Sequence, residues 1–317
     1  LIVIGNAMSR GNVEVEAVLE KNLRYMSLPE TMKEFFLWGK KNFVVTGTHG
    51  KTTTSSMLAW LLKDNELDPS YMIGGIARNL GRGGHFTESD YCVLEGDEYD
   101  TAFFDKRSKF LHYLPKVVII NNIEMDHADI YANVEEIKLS FKRLLRVVPK
   151  DGVVYINADC PNCADVKAHA AAELRMVKIV SVGMSENADI RITDIEHRTD
   201  GSDFKLGGEA YSVPMVGDFN IRNAAMAACA ASYAGLSAEQ IRASLNKFEG
   251  VARRQEVRGT VHSVTVVDDF AHHPTAIKQA VQGLRQRFPK VEILPISAAM
   301  GDGIPALKER LKDMLKK

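Results

Sequence analysis

The sequence has few cysteines, no long apolar run and almost no net charge. Among its 317 residues there are 4 cysteines and 2 tryptophans, and 40 basic side chains nearly balance 41 acidic ones. The net charge of −1 gives no overall field that would attract nucleic acid or a membrane surface. No apolar run approaches the roughly 20 residues that a membrane-spanning helix needs. We therefore expect neither a nucleic-acid partner nor a membrane partner.

The cysteines are also poorly placed for a metal site. Only Cys160 and Cys163 have the spacing of redox or zinc motifs, and the sequence offers no second pair to complete a zinc site. We interpret them as reduced thiols, with a redox role as the weaker alternative, and this favours a cytoplasmic protein. Residues 1–5 lack the charged start and the cleavage site of a signal peptide and resemble a strand already in progress.

Apolar strand-like runs alternate with helical patterns along most of the chain, which predicts an α/β fold with a mostly parallel sheet. The strands predicted in this part are residues 1–4, 43–46, 71–73, 91–95, 117–121, 153–157 and 177–182. The helices predicted between them are residues 13–21, 52–64, 134–148 and 163–174. Each helix stands where a crossover would close a right-handed βαβ unit.

The pattern changes in the second half of the chain. Short alternating segments predict a small antiparallel patch, at residues 190–197, 203–206 and 210–213. Two further helices are predicted at residues 219–234 and 238–247, before a boundary near 250–256. Beyond it we predict strands at 257–262, 264–268 and 291–294, with a helix at 274–287.

The most informative segment is a glycine-containing loop at residues 46–54, between a strand and a helix. Gly47 and Gly50 would let the backbone curl so that its N–H groups point at an anion. Lys51 would reach the β- and γ-phosphates, and the Thr52 hydroxyl would bind Mg²⁺. The loop departs from the common GxxxxGK(S/T) form because Val45 stands where the first glycine is expected. The predicted phosphate-binding residues are Gly47, Thr48, His49, Gly50, Lys51, Thr52 and Thr53.

Polar residues follow two of the predicted strands, where ligands of open α/β sheets bind. Glu95 ends one strand, and its carboxylate could share the Mg²⁺ of Thr52. His127, after the next strand, is the candidate ligand of a second Mg²⁺. The weaker alternatives are a solvated acidic loop and a surface histidine.

Three further segments carry candidate nucleotide contacts. Asn220 and Asn223 fall on one helical face, where their side-chain amides could form hydrogen bonds with the edge of an adenine base. Alternatively, they could be a helix N-cap and a polar surface residue. Arg254 at the boundary could reach a γ-phosphate on closure, or it could belong to a solvated hinge. Asp269 could accept from ribose hydroxyls and His272 could approach the phosphates, unless Asp269 merely caps a turn.

These segments, in this order, resemble those of the Mur ligases, the ATP-dependent amide-forming enzymes of peptidoglycan synthesis. The resemblance covers about residues 1–290 and implies ATP and Mg²⁺ as cofactors. It implies catalytic roles for Lys51, His127, Arg254 and His272. Residues 95–106 and 126–131 are similar to the branch of the family that joins UDP-N-acetylmuramate to the murein tripeptide L-alanyl-γ-D-glutamyl-meso-diaminopimelate, through an acyl phosphate, in peptidoglycan recycling. Some relatives carry a carbamylated lysine, for which Lys138 is a weak candidate.

The resemblance also implies a domain organisation. Residues 1–40 would be a remnant of the N-terminal UDP-binding domain, 41–252 the central P-loop domain that binds ATP, and 253–317 a truncated C-terminal domain. The fold expected is α/β, with a mostly parallel central sheet, a small antiparallel patch and partial Rossmann-like pieces at both ends. The tail from residue 296 does not resemble the family and is similar to the base-contacting loop of translation GTPases.

Several alternatives stay open at this point. Within the family, the chain could be an alanine-adding ligase or a folylpolyglutamate-type ligase. A GTPase-like switch is a rival from another class, but the sequence has no Asn-Lys-x-Asp base motif. A nucleotide-binding module without catalysis is the third alternative. The sequence does not indicate an oligomeric state.

Overall fold

The structure is a computed structural model that describes residues 1–126, 130–174, 176–261, 264–297 and 300–315. The strands in chain order are β1 Ile2–Ile4, β2 Tyr25–Ser27, β3 Lys41–Thr46, β4 Ser70–Met72, β5 Gly84–His85, β6 Tyr91–Glu95, β7 Asp100–Ala102, β8 Asp105–Ser108, β9 Pro115–Ile120, β10 Val153–Asn157, β11 Lys178–Gly183, β12 Ile190–His197, β13 Ser202–Leu206, β14 Glu209–Val213, β15 Glu256–Val261 and β16 Val264–Asp268. The α-helices are α1 Val13–Glu20, α2 Leu28–Met32, α3 Lys51–Asp64, α4 Val134–Leu145, α5 Pro161–Glu173, α6 Asp218–Tyr233, α7 Ala238–Asn246, α8 Pro274–Arg287 and α9 Ile304–Leu315.

A single large sheet organises the middle of the chain. Within the described ranges it has ten strands in the order β14-β13-β12-β11-β10-β9-β3-β6-β4-β5. The pairs from β12 across to β4 are parallel. The pairs β12–β13, β13–β14 and β4–β5 are antiparallel. The α/β class with a mostly parallel sheet and an antiparallel patch is therefore confirmed.

Helices cover both faces of the parallel strands at the centre of this sheet, which explains why β3, β9 and β10 are apolar over most of their length. Successive side chains of a strand point to opposite faces. Phe43 and Val45 of β3 pack in the cluster that holds α3, α6 and α7, whereas Val44 packs in the cluster that holds α4 and α5. The central strands therefore lie between two separate apolar layers, one on each face of the sheet.

Helix α3 lies in the centre of the first layer. It packs against α6, an alanine-rich helix whose small side chains are almost all buried. The pairing joins the two helices near their N-termini, where the Thr54 hydroxyl donates a hydrogen bond to Asn223 Oδ1 at 3.1 Å. The start of α6 is thereby fixed beside the start of α3.

Two smaller units flank the sheet. At the N-terminal side β1 and β2 pair in parallel, and Ile4, Val15 and Val18 form a small core with α1. At the C-terminal side β15 and β16 form an antiparallel pair, followed by α8. None of the helices in the described part of the chain combines the length and apolarity needed to cross a membrane.

One predicted element is wrong. Residues 291–294 do not form a strand, and Val291 instead donates a hydrogen bond from its backbone to Phe288 O in a turn, with 59% of its surface exposed. A short apolar run becomes a strand only where a partner edge can accept its hydrogen bonds. The short strands β5, β7 and β8 were not predicted, because few of their residues carry a periodic apolar signal.

Candidate active site

The loop between β3 and α3 requires glycine at both predicted positions. Gly47 has φ +126°, and a Cβ atom there would lie 2.9 Å from the backbone nitrogen of Asn122. Gly50 has φ +82°, and a Cβ atom there would lie 2.7 Å from Asn223 Oδ1. Side chains at these positions would clash with fixed atoms and would strain the backbone. The loop therefore folds tightly against the segment after β9 and the first turn of α6.

Lys51 is the first residue of α3, and its ammonium group is buried within the loop. Its Nζ donates to Gly47 O at 2.7 Å and forms an ion pair with Glu98 Oε2 at 3.0 Å. Asp97 Oδ1 lies 4.0 Å away. Burial by itself would lower the pKa of Lys51, but the carboxylates of Glu98, Asp97 and Glu95 outweigh it and the pKa is raised. Lys51 is thus a protonated cation at neutral pH.

Glu98 was not predicted as a site residue. It is 2% exposed and belongs to the acidic run after β6, in which only Glu95 was predicted to be a metal ligand. A buried carboxylate needs a partner, so an acid that folds back toward the lysine could have been suspected. Its position became evident only with the path of the loop.

Thr52 and Glu95 lie together, as the sequence analysis expected. The Thr52 hydroxyl donates to Glu95 Oε1 at 2.8 Å, and the backbone N–H of Gly74 donates to Glu95 Oε2 at 2.6 Å. Burial and the nearby Asp97 raise the pKa of Glu95. A hydroxyl and a carboxylate at one strand edge are the oxygen ligands that Mg²⁺ prefers, so these residues fit that ion.

His49 and Thr48 connect the loop to the segment after β9. The backbone N–H of His49 donates to Asn122 Oδ1 at 2.9 Å, and the Thr48 N–H donates to Asn122 O at 3.2 Å. The His49 ring lies 3.1 Å from Glu124 Oε1. Asn122 and Glu124 were not predicted as site residues, although both belong to the strand-end segment that contains His127.

A cavity of about 220 Å³ opens beside the loop. Its lining includes predicted nucleotide-binding residues from several elements, namely His49, Gly50, Thr53, Asn220, Asn223, Arg254 and Asp269. Asn220 is 1% exposed; its Nδ2 donates to Val216 O, while its Oδ1 has no hydrogen-bond partner among the described residues. A buried acceptor without a partner is a ready contact for a ligand's N–H group.

The two asparagines differ in what they can offer. Asn223 Oδ1 already accepts from Thr54 and packs against Gly50. Asn223 thus helps to shape the phosphate loop, whereas the Oδ1 atom of Asn220 is buried without a hydrogen-bond partner among the described residues. The shared helical face was evident from the spacing, but this division of tasks was not.

Of the three site residues predicted in the C-terminal part, two line the cavity and one does not. Arg254 lines it, with its guanidinium 5.7 Å from the centre of the Phe270 ring. Asp269 also lines it, while its carboxylate accepts from the backbone N–H groups of Gln255 and Ala271, each at 2.8 Å. His272 is exposed, is not part of the lining and lies against Phe270. The neighbouring His273, not His272, contacts the residues around the phosphate loop.

The last two candidates have different outcomes. His127 lies outside the described residues, so its predicted metal contact stays a prediction. Lys138 donates to Asp165 at 2.7 Å and lies 2.5 Å from Glu135, and these two carboxylates raise its pKa. Because a carbamate forms on a neutral amine, this ion-paired ammonium is a poor site for carbamylation.

Comparisons with known proteins show which family the chain belongs to. Residues 45–231 match the Mur ligase middle domain, and residues 253–317 match the Mur ligase glutamate ligase domain. The chain therefore belongs to the Mur ligase family. The second match extends to residue 317, so the expectation that the tail from 296 lies outside the family pattern was wrong.

Individual relatives show which members of the family the chain is similar to. The chain is 42% identical over 286 residues to the UDP-N-acetylmuramate–L-alanyl-γ-D-glutamyl-meso-2,6-diaminoheptandioate ligase of Escherichia coli, covering 90% of this chain and 62% of that protein. It is 33% identical to a UDP-N-acetylmuramate–L-alanine ligase of Dictyoglomus turgidum, covering 90% of this chain and 60% of that protein. A crystal structure of a murein peptide ligase from Psychrobacter arcticus superposes with a TM-score of 0.73 at 32% identity, covering 91% of this chain and 63% of that one. The chain thus spans about three fifths of the length of the curated relatives it matches.

Proposed function

We propose that this chain is the nucleotide-binding part of an ATP-dependent amide ligase that joins UDP-N-acetylmuramate to L-alanyl-γ-D-glutamyl-meso-diaminopimelate. The observation that carries the proposal is the convergence of Lys51 with the Thr52–Glu95 pair beside a cavity that contains a free buried acceptor. ATP and UDP-linked precursors are cytoplasmic, and we place the reaction there.

ATP would lie along the cavity. The adenine amino group would donate to Asn220 Oδ1, and the phosphates would lie against the backbone of the loop from Gly47 to Thr53 at the N-terminus of α3. Arg254 and Asp269 would contact the nucleotide from the C-terminal part. His272 would need to move, because it is exposed, does not line the cavity and lies against Phe270.

Thr52 and Glu95 would hold a Mg²⁺ ion, with His127 as the candidate ligand of a second one. When bound, the ion supplies positive charge that offsets the repulsion between the nucleotide phosphates and an incoming carboxylate. Thr52 is oriented for this task by its hydrogen bond to Glu95, and Glu95 is oriented by the N–H of Gly74.

The chemistry would run in two steps. The lactyl carboxylate of UDP-N-acetylmuramate attacks the γ-phosphorus, the bond to the β-phosphate oxygen breaks, and ADP and an acyl phosphate form. The alanyl amine of the tripeptide then attacks the acyl carbon, loses a proton and expels phosphate. Lys51 and Arg254 would hold the charge of the transferred phosphoryl group, since preorganised cations act strongly in a water-poor site.

The choice of substrate rests on the relatives. Identity is higher to the tripeptide-adding enzyme than to the alanine-adding one, 42% against 33% over similar lengths. The acidic run of residues 95–106 points the same way. Supplying tripeptide, L-alanine and L-glutamate separately to the full-length protein and measuring ADP release tests this choice, and turnover with alanine alone would contradict it.

The role of the phosphate loop is tested by Lys51→Ala in the full-length protein. We expect amide formation to fall by at least about a thousandfold, roughly the loss of 4 kcal/mol of transition-state stabilisation. Lys63→Ala is the matched control, since Lys63 is an exposed lysine at the other end of the same helix. Wild-type-like turnover in Lys51→Ala, with the far-ultraviolet circular dichroism unchanged, would refute the role.

A further inference from the structure

A cluster of two histidines and a glutamate lies where the C-terminal part meets the phosphate loop. It consists of His49 in the loop, Glu124 after β9 and His273 just before α8. One ligand atom from each of the three lies within 4.8 Å of the other two. None of the three has a metal-binding role in the proposed reaction. We propose that these three residues bind a divalent transition-metal ion of the Zn²⁺ class.

His273 is the residue whose state points most directly to an ion. Its Nε2 lies 3.1 Å from the backbone carbonyl of Met125, so Nε2 carries the hydrogen and donates it. In the neutral ring Nδ1 then carries only a lone pair. Nδ1 is buried, has no hydrogen-bond partner within the described ranges and lies 3.5 Å from Glu124 Oε2. A metal-binding histidine usually donates one ring N–H to a carboxylate, a backbone carbonyl or water and coordinates the ion through the other nitrogen, and His273 has this arrangement.

Glu124 supplies the negative charge. Its hydrogen bond to His49, followed by that to Thr275, outweighs partial burial and lowers the pKa of the carboxyl to about 2. It is ionised at neutral pH, with Oε1 3.1 Å from His49 and Oε2 3.5 Å from His273. Ligand atoms around a tetrahedral Zn²⁺ at about 2.0–2.1 Å are roughly 3.3 Å apart, so each of these contacts has the spacing of a pair of zinc ligands, one through each carboxylate oxygen.

His49 is the third ligand, and it has to change its tautomer. Asn122 Nδ2 donates to its Nδ1 at 3.0 Å, so without an ion Nε2 carries the hydrogen and donates it to Glu124. An ion at Nε2 moves that hydrogen to Nδ1 and displaces the amide of Asn122. His273 and Glu124 are therefore the prepared ligands, and His49 is recruited with a smaller gain in affinity.

The donor set selects the ion. Two imidazole nitrogens and one carboxylate suit Zn²⁺, Co²⁺ or Ni²⁺ rather than Mg²⁺, which prefers oxygen ligands and water. The site is built from residues on both sides of the junction, and Thr275 already donates to Glu124 Oε2 across it at 2.6 Å. A bound ion would therefore fasten the C-terminal part to the phosphate loop.

The test is a titration of the purified full-length protein with Zn²⁺ and Co²⁺, without nucleotide or substrate. We expect one ion per chain, an absorption band of Co²⁺ in a nitrogen–oxygen site, and a higher melting temperature with Zn²⁺. His273→Gln and Glu124→Gln should each weaken binding at least about tenfold, and His49→Ala should weaken it less. His169→Ala is the matched control, because His169 lies 3.2 Å from Glu173 and has no third ligand nearby among the described residues.

Two results would overturn the proposal. One is Zn²⁺ binding that His273→Gln leaves unchanged, which would place the ion elsewhere. The other is the absence of a single-site transition in the wild type, which would leave the cluster as a hydrogen-bonded contact only. Far-ultraviolet circular dichroism and thermal unfolding of each variant in the absence of metal check that it is folded. Since the titration involves neither ATP nor amide formation, its outcome is independent of whether the proposed ligase reaction is correct.

Discussion

Replacing Glu98 with glutamine tests how the buried ammonium group of Lys51 is held in place. The Glu98 side chain is 2% exposed and pairs with Lys51 at 3.0 Å. At an effective dielectric constant of about 20, two unit charges at that separation attract by roughly 5–6 kcal/mol. Removing one partner of a buried ion pair costs about 3–5 kcal/mol. Lys51 keeps the carbonyl of Gly47 and the more distant Asp97, so we expect the lower limit, about 3 kcal/mol.

The measurement is urea unfolding followed by the fluorescence of Trp60. This residue lies in α3, the helix that begins with Lys51, and its indole N–H donates to Ser244 O at 2.8 Å. Trp38 is 60% exposed and would add background, so the comparison is made in a Trp38→Phe protein. The free energy of unfolding of the part around α3 is then read directly.

Asp97→Asn is the matched control for this experiment. Asp97 is 32% exposed and 4.0 Å from Lys51, so its loss should cost less than about 1 kcal/mol. The buried ion pair does not fix the position of Lys51 if Glu98→Gln lowers the free energy of unfolding by less than about 0.5 kcal/mol. The same conclusion follows if Asp97→Asn lowers it by as much as Glu98→Gln does.

Three further predictions follow from the site. Gly50→Ala should destabilise the protein by more than Gly81→Ala, because both have positive φ but only Gly50 would meet another side chain, and thermal unfolding compares them. Asn220→Leu should weaken ATP binding about tenfold and reduce the preference for ATP over GTP in calorimetric titrations, because it removes the free acceptor. The pKa of Glu124 is lowered from 4.5 to about 2, so the stability it contributes is present above pH 4.5 and lost toward pH 2. Over that interval wild type should lose more stability than Glu124→Gln.

Much of the fold followed from periodicity. The ends of β6, β10 and β12 were predicted to the residue, because apolar runs bounded by turn residues mark buried strands. The strand predicted at 291–294 was wrong because a local apolar pattern does not reveal whether a neighbouring strand is available to pair with it. The extents proposed for the three domains remain predictions.

The candidate site was predictable where the chain itself brings residues together. Gly47, Gly50, Lys51 and Thr52 are close in sequence, and the end of β6 places Glu95 beside Thr52 through the parallel register of the sheet. The partners Glu98, Asn122 and Glu124 were missed. Their side chains are polar residues in loops, and nothing in their spacing shows which way those loops fold.

The sequence by itself determined the tight loop between β3 and α3, because an apolar strand, two glycines, Lys51 and a helix start are fixed by local backbone geometry. The continuous apolar run Phe43–Val45 in β3 is likewise what a strand covered on both faces requires. Only the tertiary structure decided which carboxylate neutralises Lys51, which asparagine keeps a free acceptor, and that His273 rather than His272 reaches Glu124. Those choices depend on contacts between residues far apart in the chain, since burial requires each charge to find a partner wherever the fold supplies one.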